Sequence, residues 1–499
     1  MAAPLLKPMQ DIKTKHPLFK NGFYLIKSLK PNSSRFLFDY LYINLPPSYF
    51  IKKYYSYIKN TKMKARAWVS FLVVAAVSIL GLFLPSTTTS LNSGDPINGA
   101  DTGWVIVASA LVLIMTPGLG FFYGGMASKK NAISTVFQSV VCLGVISVLW
   151  VFVGFSLCFG DSIGGIIGDP RTFLMFNHVG FETNKDLSPT IPLVLYAMFQ
   201  LKFAIITPAL ITGSFAERVK FSSYLLFICL FSLFIYAPLA HMTWHPDGLL
   251  RKWGVLDFAG GTVVHMSAGF AALAGAIFLG KRKVMLNVNH AHEASNIPRV
   301  IIGTGLLWFG WFGFNAGSAL AANGTAAMSL ATTNTAAAAA MLTWLFLDNI
   351  RGNKASAMGG CIGAVVGLVA ITPACGFVNV GQAMFIGFIS SIISYYAVHL
   401  KNKTGLDDTL DVFPCHGMGG IVGTILTGVF AAKVGIVYDI HNPTFFKHLA
   451  TVVIVGVFAF GGSMIFYKIT DMLVPMRVTP EEELMGLDLS QHGERMLDN

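Results

Sequence analysis

Leu256-Asp257-Phe258-Ala259-Gly260-Gly261-Thr262-Val263-Val264-His265 and Leu410-Asp411-Val412-Phe413-Pro414-Cys415-His416-Gly417 are the two stretches on which the architecture of this chain turns. Each sets a histidine mid-way along an apolar segment, a short step after an aspartate. An ionisable side chain deep in a membrane span is expensive, so by default it marks a path for an ion or a proton. Two of them at matching depth in separate spans point to a relay.

The rest of the chain agrees with a membrane setting. Hydrophobic residues make up 54% of it and charged residues only 12%, and apolar runs of about 20 residues recur from Trp68 to the tail, the length that crosses a bilayer. Gly and Ala crowd these runs, as in residues 336–340 and 359–367, which suits helices in close approach. The net charge of +11 belongs to a leader: residues 1–66 hold 13 Lys/Arg against 2 Asp, whereas residues 67–499 hold 22 of each sign. That leader has no aromatic–basic module of the kind that binds nucleic acid, so no nucleic-acid partner is expected. The six cysteines lie in or at the ends of apolar runs without a C-x-x-C spacing, which indicates neither zinc nor a disulfide framework.

Four regions follow. Residues 1–66 are a basic leader, disordered or a gene-model extension. Residues 67–85 form a signal-like apolar segment, a signal peptide or signal anchor, after Lys64 and Arg66. Residues 101–472 form the core and residues 473–499 a polar tail, with a helix start at Thr479-Pro480-Glu481. The core divides into eleven spans near 103–126, 132–159, 189–215, 221–243, 257–280, 298–319, 325–348, 355–375, 377–400, 409–432 and 447–471. With the start of the first span outside, fourteen Lys/Arg fall on inner loops and six on outer ones. That excess of positive charge inside gives an N-out, C-in core. The fold class expected is therefore an all-α polytopic membrane protein. Eleven transmembrane helices, five plus five plus one, imply an inverted repeat with its site near the midplane.

Depth arithmetic brings the histidines together. His265 lies eight residues into the fifth span from outside, and His416 about eight residues from the inner end of the tenth. At about 1.5 Å per residue, each is about 12 Å from opposite faces of a core about 30 Å thick, leaving about 6 Å between their heights. A proton relay, two unrelated histidines each bonded to a carbonyl, and a bis-histidine haem site all meet such a pair. The relay is the reading adopted, with no cofactor. A second cluster falls at the outer face: Ser318 ends the sixth span, Trp244 ends the fourth, and Phe199 lies in the outer half of the third. Aromatic faces with a hydroxyl suit a small cation. One turn deeper, Phe203 and Phe314 would close the path to hydrated ions, although aromatics at this spacing are also common as plain core. No loop carries a nucleophile–base pair or a metal motif, which argues against an enzyme.

These residues resemble the Amt/MEP/Rh family of ammonium transporters, most closely its Amt/MEP branch, over about Asp101 to Glu494. The resemblance rests on Asp257 to His265 continued to Gly280-Lys281-Arg282, on Pro117-Gly-Leu-Gly-Phe-Phe-Tyr-Gly-Gly125, Phe215-Ala-Glu-Arg218 and Trp311-Phe-Gly-Phe-Asn-Ala-Gly-Ser318. It rests also on Asp411 to Gly417 and Gly486-Leu-Asp-Leu-Ser-Gln-His-Gly-Glu494. It implies a homotrimer of eleven-span subunits in a plasma or endosomal/vacuolar membrane, each subunit with its own pore for ammonium or ammonia. By motif match, Phe199, Trp244 and Ser318 form the outer ammonium site with Trp311 close by, Phe203 and Phe314 the ring gate, and His265 and His416 the twin histidines. Asp257 is the supporting aspartate, Asp411 its partner in the second half, and the tail the place where a cytosolic regulator would act. The rival function is an ammonium sensor of the same fold with little flux. One departure stands out: Lys202 lies between Phe199 and Phe203, where relatives carry a small or apolar residue.

Overall fold

The computed structural model describes residues 68–84, 87, 89–283 and 294–496 of the protein. The expected basic leader, residues 1–66, lies outside them. The chain divides into two compact units, residues 1–83 and 84–499. Among its described residues the first unit holds one apolar helix, Trp68–Phe83, where the signal-like segment is expected.

The second unit is helical, apart from a two-residue hairpin pairing Ser162–Ile163 with Ile167–Gly168. Among the described residues, ten helices are long and apolar enough to cross a membrane: α1 Gly99–Met126, α2 Lys129–Phe159, α3 Leu193–Phe215, α4 Phe221–Trp253, α5 Gly261–Leu279, α6 Ile297–Gly317, α7 Gly324–Ile350, α9 Val380–Thr404, α10 Phe413–Phe430 and α11 Thr444–Leu473. An eleventh apolar helix, α8 Ala357–Ile371, has 15 residues. It is shorter than the expected span at 355–375 because Thr372 to Phe377 leave the helix in a run of turns. Side-chain caps start several of these helices. Asn98 accepts from the N–H groups of Ala100 and Asp101 at 2.9 and 3.1 Å, which moves the start of α1 ahead of the apolar run. Asn323, Ser356 and Asn379 cap α7, α8 and α9 in the same way.

α1 packs along α6, and the histidine-bearing α5 and α10 meet each other. Their crossing is tight: a methyl group on Gly269 would lie 2.3 Å from Cα of Gly417, so glycine at this contact is what lets the two backbones approach. Both helices also open with a π-helical turn, Gly261–Met266 and Phe413–Gly417. The wider turn carries His265 in one and His416 in the other, and such turns recur at functional positions.

A buried charged knot joins the ends of α3, α5 and α9. Arg282 pairs with Glu217 at 2.8 Å and with Asp407 at 3.0 Å, and fully buried Arg218 donates to Thr409 Oγ1 at 2.7 Å. The tail docks beside it. Val478 N–H donates to the Arg218 carbonyl at 3.1 Å, and Arg477 pairs with Glu483 at 3.0 Å. A short helix, α12 Pro480–Met485, starts on a Thr479–Glu482 capping box. Beyond it, Asp488 accepts from the N–H groups of Ile133 and Ser134 at 3.1 and 2.7 Å, capping the start of α2. The His492 ring stands edge-on to Phe221 and Phe137.

Candidate functional site

The site begins with the aspartate ahead of α5. Asp257 Oδ1 accepts from the N–H groups of Gly260 and Gly261, both at 2.7 Å, and Oδ2 from Thr262 N–H at 2.8 Å and from the Thr262 hydroxyl. One carboxylate thus satisfies the free donors of the helix start. The chain can curl this way because Gly260 takes a left-handed φ of 119°. All of the carboxylate's capacity is spent inward, so Asp257 supports the site without an oxygen free for a ligand. Its own carbonyl accepts from Trp244 Nε1 at 3.2 Å, which ties the indole to the start of α5.

Ahead of α10 a similar arrangement is made by Asp408. Its two oxygens accept from Val412 and Phe413 N–H at 3.1 and 2.8 Å. It precedes His416 by eight residues, as Asp257 precedes His265. The expectation that Asp411 is the counterpart of Asp257 therefore shifts by one turn. Asp411 has a positive φ of 57° and pairs with Lys401 at 2.6 Å. By its spacing to the histidine and by the N–H groups it accepts from, Asp408 is more like Asp257 than Asp411 is. Burial, reinforced by the Asp411 carboxylate, pushes the Asp408 carboxyl up to about 6.

From Trp244 inward the aromatics form a continuous column. Phe203 meets Trp244 edge-on at 5.8 Å and Phe199 edge-on at 5.0 Å. It lies over Phe314 at 4.2 Å and 35°. At this end of the column Gly317, next to Ser318, abuts the Phe199 ring so closely that a methyl group there would lie 3.0 Å from it. The Ser318 hydroxyl donates to the Phe314 carbonyl at 2.8 Å, which turns its lone pairs outward as acceptors. Trp311, expected with this cluster, stands two helical turns deeper. It stacks on His265 at 5.3 Å and 17° and donates to Thr372 Oγ1 at 2.9 Å.

Below Phe314 the histidines meet. Their Nδ1 atoms are 3.4 Å apart and their rings 5.5 Å apart at 24°. Both side chains are buried, and His265 Nε2 has no protein partner. They line a narrow lumen with Met115, Leu119, Ile206 and Leu210, among other apolar groups, that leaves about 10 Å³ for the centre of a water-sized particle. One small molecule fills that space. Among the described residues no cluster of three or more His, Cys, Asp or Glu could hold a metal.

Lys202 stands aside from the column. At about 100° per residue it is about 60° from Phe199 and about 100° from Phe203 around α3. It shares a half-buried flank with Leu195 and Met198.

Residues 103–496 match the model of the Ammonium Transporter Family. An ammonium transporter of Aquifex aeolicus is 42% identical over 443 residues, which is 87% of this chain and 99% of that protein. This chain belongs to the ammonium transporter family. Among solved structures, Mep2 of Candida albicans superposes with a TM-score of 0.75 at 32% identity, covering 82% of this chain and 95% of that one. A structure described as a sensor Amt protein superposes with a TM-score of 0.72 at 30% identity, covering 79% and 98%. These relatives and the ten spanning helices make the chain an integral, multi-pass membrane protein of the Amt/MEP kind, and they support ammonium transport as its function.

Proposed function

We propose that the chain captures NH4+ at the Phe199–Trp244–Ser318 end, removes its proton below the outer rings, and conducts NH3 and H+ through the lumen. The observation that carries this reading is the unbroken column from Trp244 through Phe203 and Phe314 to the paired Nδ1 atoms of His265 and His416. At the outer end the aromatic faces attract the cation, and the Ser318 lone pairs accept one of its N–H bonds. The stacked rings of Phe203 and Phe314 exclude its water. A bare cation in the apolar lumen is strongly disfavoured, so the species that crosses is the neutral amine.

The proton needs polar stations. Two facing Nδ1 atoms hold one proton between them, and 3.4 Å is the long edge of hydrogen-bond range. A proton taken up at Nε2 of His265 lets the shared proton pass from its Nδ1 to Nδ1 of His416, which then releases its own Nε2 proton, so both rings end neutral; both histidines line the lumen. Sodium and potassium have no proton to give up, so they stop at the rings.

In this reading the eleven apolar helices are eleven spans in a five-plus-five inverted repeat. The repeated π-helical turns and the two Asp–His intervals of eight support it. The core is N-out and C-in by its loop charges, and three subunits assemble with a separate pore in each. Lys202 belongs to the flank of α3, outside the pore. Expression in a yeast that lacks its own ammonium transporters is expected to restore growth at low ammonium. Ammonium-elicited current in oocytes tests transport against sensing: saturable binding with no current would overturn the transport reading.

A further inference from the structure

The segment that carries Trp244 ends in two histidines that the transport reading does not use. His241, fully buried and one turn before Trp244, meets the Cys158 carbonyl through Nδ1 at 2.9 Å and Ser162 Oγ through Nε2 at 2.8 Å. A carbonyl only accepts, so His241 Nδ1 carries a proton. His245, directly after Trp244, stacks on the His241 ring at 4.4 Å and 14°. Its N–H donates to the His241 carbonyl at 3.1 Å, and its own carbonyl accepts from Gly248 N–H at 2.9 Å. Its Nδ1 accepts from Asp247 N–H at 3.0 Å.

That last bond fixes the chemistry. A neutral imidazole whose Nδ1 accepts must carry its proton on Nε2, so a second proton can only go to Nδ1. Protonation therefore destroys the bond to Asp247 N–H and sets a cation against the stacked His241 ring. The turn it would loosen is the one at residues 245–248, which interrupts α4 directly after Trp244. The charged groups facing His245 are the carboxylates of Asp247, Asp186 and Asp161 and the ammonium of Lys252, which pairs with Asp247 at 2.7 Å. Those facing His241 are His245 and Asp247.

We propose that His245 is a positioning residue for Trp244, and that protonation of its Nδ1 from the outer side releases the turn and weakens ammonium capture. The inference rests on the reading of Trp244 as part of the outer site. Acidity outside would then act on apparent affinity, separately from any effect of the inner histidines on maximal current.

The test is ammonium-elicited current against concentration in oocytes, at an outside pH of about 7.5 and of about 5, which brackets the ordinary histidine range. In the wild type the half-saturating ammonium concentration is expected to rise about threefold or more on acidification. His245→Asn keeps an acceptor for Asp247 N–H that does not titrate. Its half-saturating ammonium concentration should be the same at the two pH values. Asp247→Asn, at an exposed position, removes a carboxylate that favours the charged ring, and should move the midpoint of the shift to lower pH. A flat wild type, a full shift in His245→Asn, or an unmoved midpoint in Asp247→Asn would each overturn the proposal. Trp244→Leu separates this from the site reading. Unaltered affinity in that variant overturns the outer site itself, whereas weakened affinity beside a still-titrating His245→Asn overturns only the role of His245.

Discussion

The Nδ1 atoms of His265 and His416 face each other across 3.4 Å beside a small, mainly apolar cavity, and the proposed relay shares one proton between them. Replacing both with leucine removes every polar station at that depth, and ammonium-dependent current is expected to vanish while the protein still reaches the membrane. Full ammonium-selective current in the double variant, recorded in oocytes, would sink the relay. Trp244→Leu probes the other end of the column. Losing most of a cation–π attraction of about 0.5–2 kcal/mol should weaken apparent ammonium affinity by about twofold to thirtyfold, read from the concentration dependence of the same current. At this scale the sequence was informative where chemistry is local. Helical spacing and depth led to side chains that the fold brings into contact: His265 with His416, Phe203 with Phe314 and Phe203 with Trp244. Trp311 lies beside Phe314 and His265, and Asp411 beside Lys401. A tryptophan seven residues before Ser318 shares its face but lies two turns away, and a dipeptide match cannot show which of two nearby aspartates turns back to cap a helix.

The helices themselves were legible as apolar runs, because burial in lipid demands about 20 apolar residues whatever the fold. Their irregularities were not. Nothing in the residues 261–266 or 413–417 announces a turn closed by i→i+5 bonds; it arises where α5 and α10 cross at Gly269 and Gly417. Asp408 belongs to this scale, since it holds the start of α10. Its carboxyl stands at about 6 in the fold, above its ordinary value of 3.8, because of burial and then the Asp411 carboxylate. The sign follows from linkage: the folded chain holds this proton more tightly than the unfolded one. Stability from this group is therefore expected to fall as pH rises from about 4 to about 6 and to stay level above that. Asp408→Asn, which cannot ionise, should lose that portion of the slope. Melting of the detergent-solubilised protein between about pH 4 and pH 7 checks it, and parallel curves for the two proteins would contradict it.

At the scale of the whole molecule, the tail is built into the core. Asp488 caps α2, Val478 bonds to the Arg218 carbonyl, and Arg477 pairs with Glu483 beside the knot of Arg282, Glu217 and Asp407. Asp488→Ala removes a cap worth about 0.5–2 kcal/mol. Proteolytic loss of the tail in membrane vesicles is expected to speed up by roughly twofold to thirtyfold, with the eleven helices intact; unchanged cleavage would mean that the other contacts hold the tail alone. The lumen has a consequence of a different kind. The cavity at the histidines, with about 10 Å³ free for the centre of a water-sized particle, has room for one small molecule. On the proposed reading ammonia passes there one molecule at a time and without a column of water, so nitrogen would enter a cell without swelling it. Vesicles carrying the protein are expected to shrink under a sucrose gradient no faster than bare lipid, even while ammonium equilibrates across them.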